Sequence, residues 1–258
     1  MSVAGCHRFD HRRVLVTGSA QGIGSAIARR FAREGAHVFI ADLDLPGARD
    51  VAESLTAEGG SAEAVELDIR SERSVSQAFE DVGELDVVVA NAGVQQFSAI
   101  EDLPASGWDR TLEINARGTF LTLREAARHI VEGGSATAIA SIQGYLANPL
   151  SVDYAASKAA ILSIVRSFAI ELAPRAVRVN AVAPGRIDTS LSERANREIG
   201  VLTGVSAAEI IAKRLESNPL GRPGTPDDVA AAALFLSSPD AGYITGIALD
   251  VCGGDVMR

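Results

Sequence analysis

The stretch Arg13-Val-Leu-Val-Thr17-Gly18-Ser-Ala-Gln21-Gly22-Ile23-Gly24 joins a short apolar run to a turn rich in glycine. Apolar residues then return at Ile27 and Phe31, at helical spacing, until Gly35. This order predicts a strand, a tight turn and a helix. Glycines let the backbone approach a pyrophosphate, and the helix N-terminus offers free N–H groups. The candidate dinucleotide contacts in this turn are Gly18, Gln21, Gly22, Ile23 and Gly24. An ordinary βα turn is the alternative interpretation.

A carboxylate ends the next predicted strand, residues 37–41. Asp42 stands about 18 residues beyond Gly24, where a dinucleotide fold places the acid that holds the adenosine ribose. Such an acid accepts hydrogen bonds from the ribose hydroxyls and repels a 2′-phosphate. Neither Leu43 nor the turn supplies a cation that would bind this phosphate, so the sequence favours NAD over NADP. The alternative is that Asp42 only caps the turn that follows.

Four further predicted strands end in small or polar residues. Residues 62–67 lead to Asp68-Ile69, 85–90 to Asn91-Ala92-Gly93, 135–140 to Ser141, and 177–183 to Pro184-Gly185. The repeated alternation of strand and helix predicts an α/β fold with a parallel sheet. Because open parallel sheets bind ligands at the carboxyl ends of their strands, these residues are expected at one edge. For Asp68, the N-cap of the following helix is an equal alternative.

Tyr154 and Lys158 stand one helical turn apart in the segment Ser151-Val-Asp-Tyr154-Ala-Ala-Ser157-Lys158. An apolar stripe continues their helical face, so both side chains are expected to point inward. A free phenol has a pKa of about 10, and a cation about 4 Å away contributes about 4 kcal/mol at a dielectric of about 20. Lys158 alone is therefore expected to lower the pKa of Tyr154 enough for acid–base work. The alternative is a core tyrosine beside a lysine that snorkels.

Asn115 lies inside a helix predicted over residues 108–132. Asparagine is a poor residue for a helix interior because its side chain competes for backbone hydrogen bonds. Asn115 is therefore a candidate for a kink, a water site or a relay, and a surface amide is the alternative.

The composition limits the class of partner. The chain of 258 residues has a formal net charge of -9. This charge argues against nucleic acid or an anionic membrane and favours a small substrate. No run is apolar enough for a signal peptide or a membrane span, which predicts a cytoplasmic protein. Cys6 and Cys252 lack neighbours at metal-ligand spacing, so no metal is expected, and a disulfide between them stays open.

The motifs, in this order, resemble those of the short-chain dehydrogenase/reductase family, in its compact oxidoreductase branch. The matching residues are Thr17-Gly18-x-x-x-Gly22-Ile23-Gly24, Asp68-Ile69, Asn91-Ala92-Gly93, Asn115, Ser141, Tyr154-x-x-Ser157-Lys158 and Pro184-Gly185. The resemblance covers almost the whole chain. It implies a single doubly wound Rossmann-type domain over residues 1–258, with about seven parallel strands and NAD across their carboxyl ends.

The resemblance also assigns roles. Tyr154 exchanges a proton with the substrate hydroxyl while hydride passes to or from the nicotinamide, and Ser141 hydrogen-bonds the developing carbonyl. Lys158 holds the ribose and depresses the phenol pKa, and Asn115 positions a water that links Lys158 to solvent. The cofactor contacts carried over are Gly18, Gln21, Gly22, Ile23, Gly24, Asp42, Leu43, Asp68, Ile69, Asn91, Ala92, Gly93, Tyr154, Lys158, Pro184, Gly185, Ile187 and Thr189.

Three positions depart from the family pattern. Ala90 replaces an asparagine before Asn91, and Cys252 replaces an aspartate before the last two glycines. Arg186 follows Pro184-Gly185, close to where nicotinamide and substrate are expected to meet. It is a candidate anion contact, but a solvent-facing side chain is the preferred interpretation.

The expected activity is hydride transfer between NAD(H) and a secondary alcohol or ketone, with a polyol or sugar alcohol favoured. The polar segment 190–221 is long for a connection between core elements, so it is expected to form a substrate lid. The expected substrate contacts are Ser141, Gln143, Gln95 and Tyr154. The alternatives are a 3-oxoacyl-type or other ketone reductase, against which Asp42 counts, and an NAD-binding regulator without turnover, against which the intact catalytic set counts.

The helix that carries Tyr154 also presents a row of small residues. These are Ala156, Ala160, Ser163 and Ser167. Small side chains allow close helix packing, and family members are commonly tetramers built from two long helices. A homo-oligomer is therefore expected, with a tetramer favoured.

Overall fold

Seven parallel strands form one sheet in the computed structural model, which describes residues 7–146 and 149–257. In chain order the strands are β1 (Arg13–Thr17), β2 (His37–Asp42), β3 (Ser61–Glu66), β4 (Leu85–Ala90), β5 (Ile130–Ile139), β6 (Arg178–Pro184) and β7 (Ala248–Val251). Their spatial order is β3-β2-β1-β4-β5-β6-β7, and all neighbours are parallel. The predicted doubly wound parallel sheet is confirmed. Cys6 lies outside the described residues.

Helices cover both faces of the sheet. In chain order the α-helices of the described residues are α1 (Gly22–Arg33), α2 (Leu45–Ala57), α3 (Glu72–Val82), α4 (Ala105–Leu112), α5 (Gly118–His129), α6 (Val152–Leu172), α7 (Ser190–Thr203), α8 (Ala207–Glu216) and α9 (Pro226–Ser237). Helices α1, α2 and α9 bury Ile27, Leu55 and Leu234 against one face. Helices α3, α5 and α6 contribute to the core on the other face. Two covered faces explain why β1, β2 and β4 read as largely apolar runs, whereas the edge strand β3 contains the charged residues Glu63 and Glu66.

The strand order reverses at β1. After β1 the chain moves outward to β2 and β3, and it then returns to pair β4 with the other side of β1. Helix α1, which connects β1 to β2, and helix α3, which connects β3 to β4, pack on opposite faces of the sheet. A crevice is therefore left above the carboxyl ends of β1 and β4, which is where open α/β sheets bind their ligands.

The helix predicted over residues 108–132 is interrupted, and it begins and ends three residues earlier, at Ala105 and His129. Helix α4 ends at Leu112, a π-helical turn spans Glu113–Arg117, and α5 ends at His129. Strand β5 begins at Ile130, so the predicted start at residue 135 is wrong. Ile130 and Val131 are β-branched and suit either conformation, so the sequence alone did not mark the boundary. Asn115 sits in the π-helical turn and is fully buried, which rules out the surface amide.

The segment predicted as a lid contains α7 and α8. Both helices begin with a capping box, in which Thr189 bonds the backbone N–H of Ser192 and Ser206 bonds that of Glu209. These caps satisfy N–H groups that would otherwise lack partners, so each helix has a defined start. Among the described residues, no helix has the length and apolar character needed to cross a bilayer.

Candidate active site

One cavity of about 790 Å³ opens at the carboxyl ends of the strands. Every predicted cofactor and substrate contact lines it, and so do the three catalytic candidates Ser141, Tyr154 and Lys158. Asn115 is the exception, since it lies behind the wall with no exposed surface. Residues that the sequence spread over most of the chain therefore meet in one place.

The glycine turn is packed too tightly for side chains. At Gly18, with φ +65°, a Cβ would lie 2.7 Å from the Cα of Ala92, and at Gly24 a Cβ would lie 2.2 Å from the carbonyl oxygen of Gly18. Gly22 differs, because its φ is +59° but nothing lies within 4 Å of a Cβ there. Its backbone therefore faces open space at the cavity, where a ligand can come close to the N–H groups.

The N-terminus of α1 is left uncapped by side chains. Gln21 stands at the N-cap position and makes no side-chain cap hydrogen bond. The side chain of Asn91 holds the turn from below, donating to the carbonyl oxygens of Thr17 and Gly18, each at 2.9 Å. A fixed turn with free N–H groups and the positive end of a helix dipole suits a pyrophosphate.

Asp42 is ordered by the backbone around it. Its Oδ2 accepts the N–H of Ala20 at 2.9 Å, and its Oδ1 accepts that of Asp44 at 3.0 Å. Each carboxylate oxygen keeps acceptor capacity toward the cavity, which it lines beside the exposed side chain of Leu43. Asp42 therefore orders the turn and also presents an acceptor to a ligand.

The neighbouring acid, Asp68, is paired with Arg70. The guanidinium donates to both carboxylate oxygens, with Arg70 Nη2 2.7 Å from Asp68 Oδ2, and this pairing lowers the pKa of Asp68. Ser71 is the N-cap of α3, so the predicted alternative that Asp68 caps this helix is wrong. Ile69 lines the cavity next to it.

Tyr154, Ser141 and Lys158 form a compact group. The hydroxyl of Ser141 hydrogen-bonds Tyr154, and Lys158 Nζ lies 5.5 Å from the centroid of the Tyr154 ring. Lys158 is 4% exposed and donates to the carbonyl oxygen of Ile139 at 2.8 Å. Helix α6 supplies the phenol and the ammonium, and the end of β5 supplies the serine.

The pKa values of this pair correct the sequence-based expectation. Burial raises the pKa of Tyr154 to about 12, although the hydrogen bond to Ser141 acts in the opposite direction. Burial lowers the pKa of Lys158 to about 8. The expectation that Lys158 alone would bring the phenol into the neutral range is wrong for the protein without ligands. It counted the attraction between the two charges and left out the cost of desolvating each.

Asn115 connects the π-helical turn to the loop after β4. Its Oδ1 accepts the N–H of Val94 and its Nδ2 donates to the carbonyl oxygen of Val94, both at 2.8 Å. Nδ2 also donates to Ser157 Oγ at 3.0 Å. A Cβ on Gly93 would lie 3.1 Å from Asn115 Oδ1 and 3.7 Å from Lys158 Nζ. The amide, the ammonium and this glycine therefore meet behind the cavity wall.

The polar side of the cavity contains the two predicted glutamines. Gln95 Nε2 donates to Gln143 Oε1 at 3.4 Å, and Ser151 Oγ donates to the same oxygen at 3.2 Å. The backbone N–H of Gln143 donates to Ser141 Oγ at 3.2 Å. Gln143 is thus tied to the serine of the catalytic group.

The side chain of Arg186 is 38% exposed, so it meets solvent as expected, but it also lines the cavity. It donates through Nη1 to the carbonyl oxygen of Arg214. Five further arginines line the wall that the sequence did not predict there, namely Arg70, Arg110, Arg194, Arg197 and Arg214. Arginines in a charged helical segment read as a solvated face, and the sequence contains no signal for which face of α7 or α8 turns inward.

These residues fit a dinucleotide. The glycine turn leaves no space for side chains where the backbone must be close, and α1 offers free N–H groups at Gly22. Asp42 offers an acceptor for ribose hydroxyls, and Tyr154 and Lys158 lie along the same cavity. A nicotinamide cofactor bound there would supply the hydride donor or acceptor, and the chain supplies the acid–base groups.

Comparison with known proteins also identifies oxidoreductases as relatives of this chain. A family model described as enoyl-(acyl carrier protein) reductase matches residues 18–255. The chain is 38% identical over 247 residues to 3-oxoacyl-(acyl-carrier-protein) reductase of Aquifex aeolicus, covering 93% of this chain and 95% of that protein. It is 39% identical over 254 residues to L-rhamnose 1-dehydrogenase (NAD(P)(+)) of Azotobacter vinelandii, covering 94% and 96%.

A solved structure agrees with these relatives. The crystal structure of a 3-oxoacyl-(acyl-carrier protein) reductase with bound NAD from Brucella melitensis matches with a TM-score of 0.88 at 31% identity, covering 100% of this chain and 95% of that one. The family model, the two relatives and the shared fold lead to one assignment. The chain belongs to the short-chain dehydrogenase/reductase family of NAD(P)-dependent oxidoreductases.

Proposed function

We propose that the protein transfers hydride between NAD(H) and a secondary alcohol or its ketone, with Tyr154 as the general acid and base. The observation that carries this proposal is the contact of Tyr154 with Ser141 and Lys158 on the cavity that the glycine turn also lines. A phenol, a hydroxyl and an ammonium in one group are what proton exchange with a bound alcohol requires.

NAD is the proposed cofactor rather than NADP. Asp42 lines the cavity at the end of β2, and Leu43 beside it has no charge. Arg70 is engaged with Asp68 through both carboxylate oxygens, so its charge is already paired. A 2′-phosphate would therefore meet a carboxylate without a free cation to offset it.

In the oxidising direction Tyr154 takes the proton of the substrate hydroxyl as the carbon gives up its hydride. Ser141 donates a hydrogen bond to the oxygen that becomes the carbonyl. Lys158, held by Ile139, places its positive charge beside the phenol and stabilises the phenolate before the proton arrives. Asn115 positions a water that lets the proton continue to solvent. In the reducing direction Tyr154 returns the proton.

A polyol or sugar alcohol is the substrate class that the glutamines support. Gln95 and Gln143 place amide donors and acceptors next to Ser141, which suits a ligand with several hydroxyls. The similarity to an L-rhamnose 1-dehydrogenase supports the same class. The segment 190–221, with α7 and α8, acts as the lid over this substrate.

A 3-oxoacyl-type reductase is the second candidate. This activity usually goes with NADPH, and Asp42, which favours NAD, therefore counts against it. However, a structurally similar 3-oxoacyl-(acyl-carrier protein) reductase is described with bound NAD. Comparing a 3-oxoacyl thioester with a polyol as substrates separates the two candidates. A regulator without turnover is disfavoured by the complete set of Asn115, Ser141, Tyr154 and Lys158.

We also propose a homo-oligomer, a tetramer in the favoured form, that uses the outer faces of α5 and α6. Ser163 and Ser167 are exposed there, and Phe120 is 40% exposed against Phe168, with ring centroids 6.2 Å apart. A partly exposed aromatic pair beside small side chains suits close packing of a second copy.

Replacing Tyr154 by Phe tests the chemistry. The variant keeps the ring and removes the hydroxyl, so kcat is expected to fall by about 10³-fold or more, while NADH binding stays close to wild type. Tyr243→Phe is the matched control because Tyr243 is fully exposed and does not line the cavity. Undiminished turnover by Tyr154→Phe would remove this residue from the mechanism.

A further inference from the structure

The lid side of the cavity is basic, although the chain as a whole carries a formal net charge of -9. Four arginines line this side, from the end of β6 and from α7 and α8: Arg186, Arg194, Arg197 and Arg214. Among the described residues, the carboxylates that line the cavity are Asp42 and Asp68, which follow β2 and β3. The positive charge is therefore concentrated away from the acids.

Arg186 and Arg214 are fixed relative to each other. Arg186 Nη1 donates to the carbonyl oxygen of Arg214 and lies 3.3 Å from Ser217 Oγ, and Arg214 Nη1 donates to Asn196 Oδ1. A guanidinium has five N–H donors. In the part of the chain that the structure describes, Nη2 of both arginines has no acceptor, so donors remain for a ligand.

The charges of this group are incompletely neutralised. Arg186 Nε is 3.8 Å from Asp255 Oδ2, which is too long for a hydrogen bond, and no carboxylate in residues 7–146 or 149–257 pairs with Arg214. Burial and the charge of Arg186 lower the pKa of Arg214. Two cations this close, with one poor counterion, favour the entry of an anion.

The group lies at the catalytic end of the cavity. Ser141, Arg186 and Arg214 line the same cavity, and Ser141 Oγ lies 3.5 Å from the carbonyl oxygen of Pro184, two residues before Arg186. The turn from Gly18 to Gly24 and the N-terminus of α1 already provide a site for the pyrophosphate. The arginines are therefore placed to act on the substrate.

We propose that the substrate is a secondary alcohol or ketone with an anionic group, a carboxylate or a phosphate, that binds Arg186 and Arg214. The inference rests on the proposed function and narrows its substrate class from secondary alcohols in general to hydroxy acids and polyol phosphates. Planar guanidinium groups bind both anions through paired N–H donors, which fixes the position of the alcohol carbon as well as the affinity. Arg197 on α7 adds positive charge at the same wall, whereas the charge of Arg194 is paired with Glu198, whose Oε1 lies 3.5 Å from Arg194 Nε.

Matched pairs of alcohols test this proposal. The pairs are 3-hydroxybutyrate with 3-hydroxybutanamide, and sorbitol 6-phosphate with sorbitol, each assayed by NADH formation. A charged hydrogen bond contributes about 10- to 100-fold, so the wild type is expected to prefer the anion of at least one pair by this factor in kcat/KM. Which pair shows the preference distinguishes carboxylate from phosphate.

Arg214→Gln is expected to abolish this preference by lowering kcat/KM for the anion alone, with the Kd for NADH unchanged. Lys213→Gln is the control, because it removes a charge from the neighbouring position of α8 that is exposed and does not line the cavity. A second readout does not need turnover. Malonate or inorganic phosphate is expected to raise the Tm of the NADH complex of wild type and Lys213→Gln, and not that of Arg214→Gln.

Three other results would overturn the anion site, the inference as a whole, or the proposed function. Equal use of anion and neutral partner, with no anion-dependent rise in Tm, overturns the anion site and leaves the oxidoreductase standing. An Arg214→Gln variant that loses NADH affinity and turnover of both partners alike shows that the arginine holds the dinucleotide, which overturns the inference. Absence of both NADH binding and turnover of any alcohol overturns the proposed function and the inference with it.

Discussion

Asp42→Asn is expected to shift the cofactor preference from NAD toward NADP. The substitution keeps the shape of the side chain at the end of β2 and removes its negative charge. Asp42 lines the cavity, and its oxygens already accept the N–H groups of Ala20 and Asp44. Its orientation is therefore set by the protein before any ribose binds, so its charge acts at a fixed position.

The size of the effect follows from the charge on the 2′-phosphate. Two unit charges about 4 Å apart repel by about 1 kcal/mol in bulk water and by about 4 kcal/mol at a dielectric of about 20. A phosphate monoester carries close to two charges, so Asp42 is expected to cost NADP at least about 2 kcal/mol, or about 30-fold in Kd. Asparagine is also a weaker acceptor for ribose hydroxyls, which weakens NAD by about 5- to 10-fold. The NAD/NADP preference is expected to fall by about 100-fold or more.

The assay is titration of protein fluorescence with NADH and with NADPH on each variant. The ratio of the two Kd values matters because any loss of stability affects both equally, and asparagine can accept only one of the two backbone N–H groups. Asp50→Asn on α2 is the control, since Asp50 is exposed and lies outside the cavity wall. A wild type that binds NADPH as tightly as NADH, or an unchanged ratio in Asp42→Asn, would refute the reasoning.

Two further predictions concern pH and assembly. Because burial raises the pKa of Tyr154 to about 12, the phenol is protonated at neutral pH. The value of kcat/KM for alcohol oxidation is therefore expected to rise from about pH 6 to about pH 10, while the value for ketone reduction does not rise. A flat pH profile for oxidation would contradict this prediction. Light scattering at micromolar concentration is expected to give a multiple of the monomer mass, and Phe120→Glu is expected to shift it toward the monomer by placing charge on the α5 face; a monomeric wild type would remove the proposed oligomer.

The fold was predictable because its signals are local. The run from Arg13 to Gly24 contains strand, turn and helix within a few residues, and the structure has β1 and α1 at those positions. The boundary near Ile130 was missed because β-branched residues fit the end of a helix and the start of a strand equally well. In the structure the pairing of β5 with β4 decides between the two, and this contact is not readable from the segment itself.

The dinucleotide side and the lid side of the cavity also differed in how far the sequence predicted their residues. The dinucleotide side depends on glycines and acids at fixed short distances from strand ends, so its positions were identified from spacing. The lid side depends on contacts such as Arg186 with the carbonyl oxygen of Arg214, two residues that are 28 positions apart. The sequence marked Arg186 beside Pro184-Gly185 but contained no signal for Arg214, and the hydrogen bond that joins the two residues exists only in the folded chain.

The balance between burial and charge at Tyr154 links binding on the dinucleotide side of the cavity to proton abstraction from the substrate. The same burial that raises the pKa of the phenol to about 12 lowers the pKa of Lys158 to about 8, so the pair shows little tendency to ionise both groups at neutral pH without ligands. Lys158 has three donors, and Ile139 accepts one of them at 2.8 Å. Acceptors supplied by a bound ribose would stabilise the ammonium, and a stable ammonium 5.5 Å from the phenol ring stabilises the phenolate in turn. Binding on the dinucleotide side is therefore expected to make Tyr154 a better base, which restricts proton abstraction to the protein that already holds its cofactor.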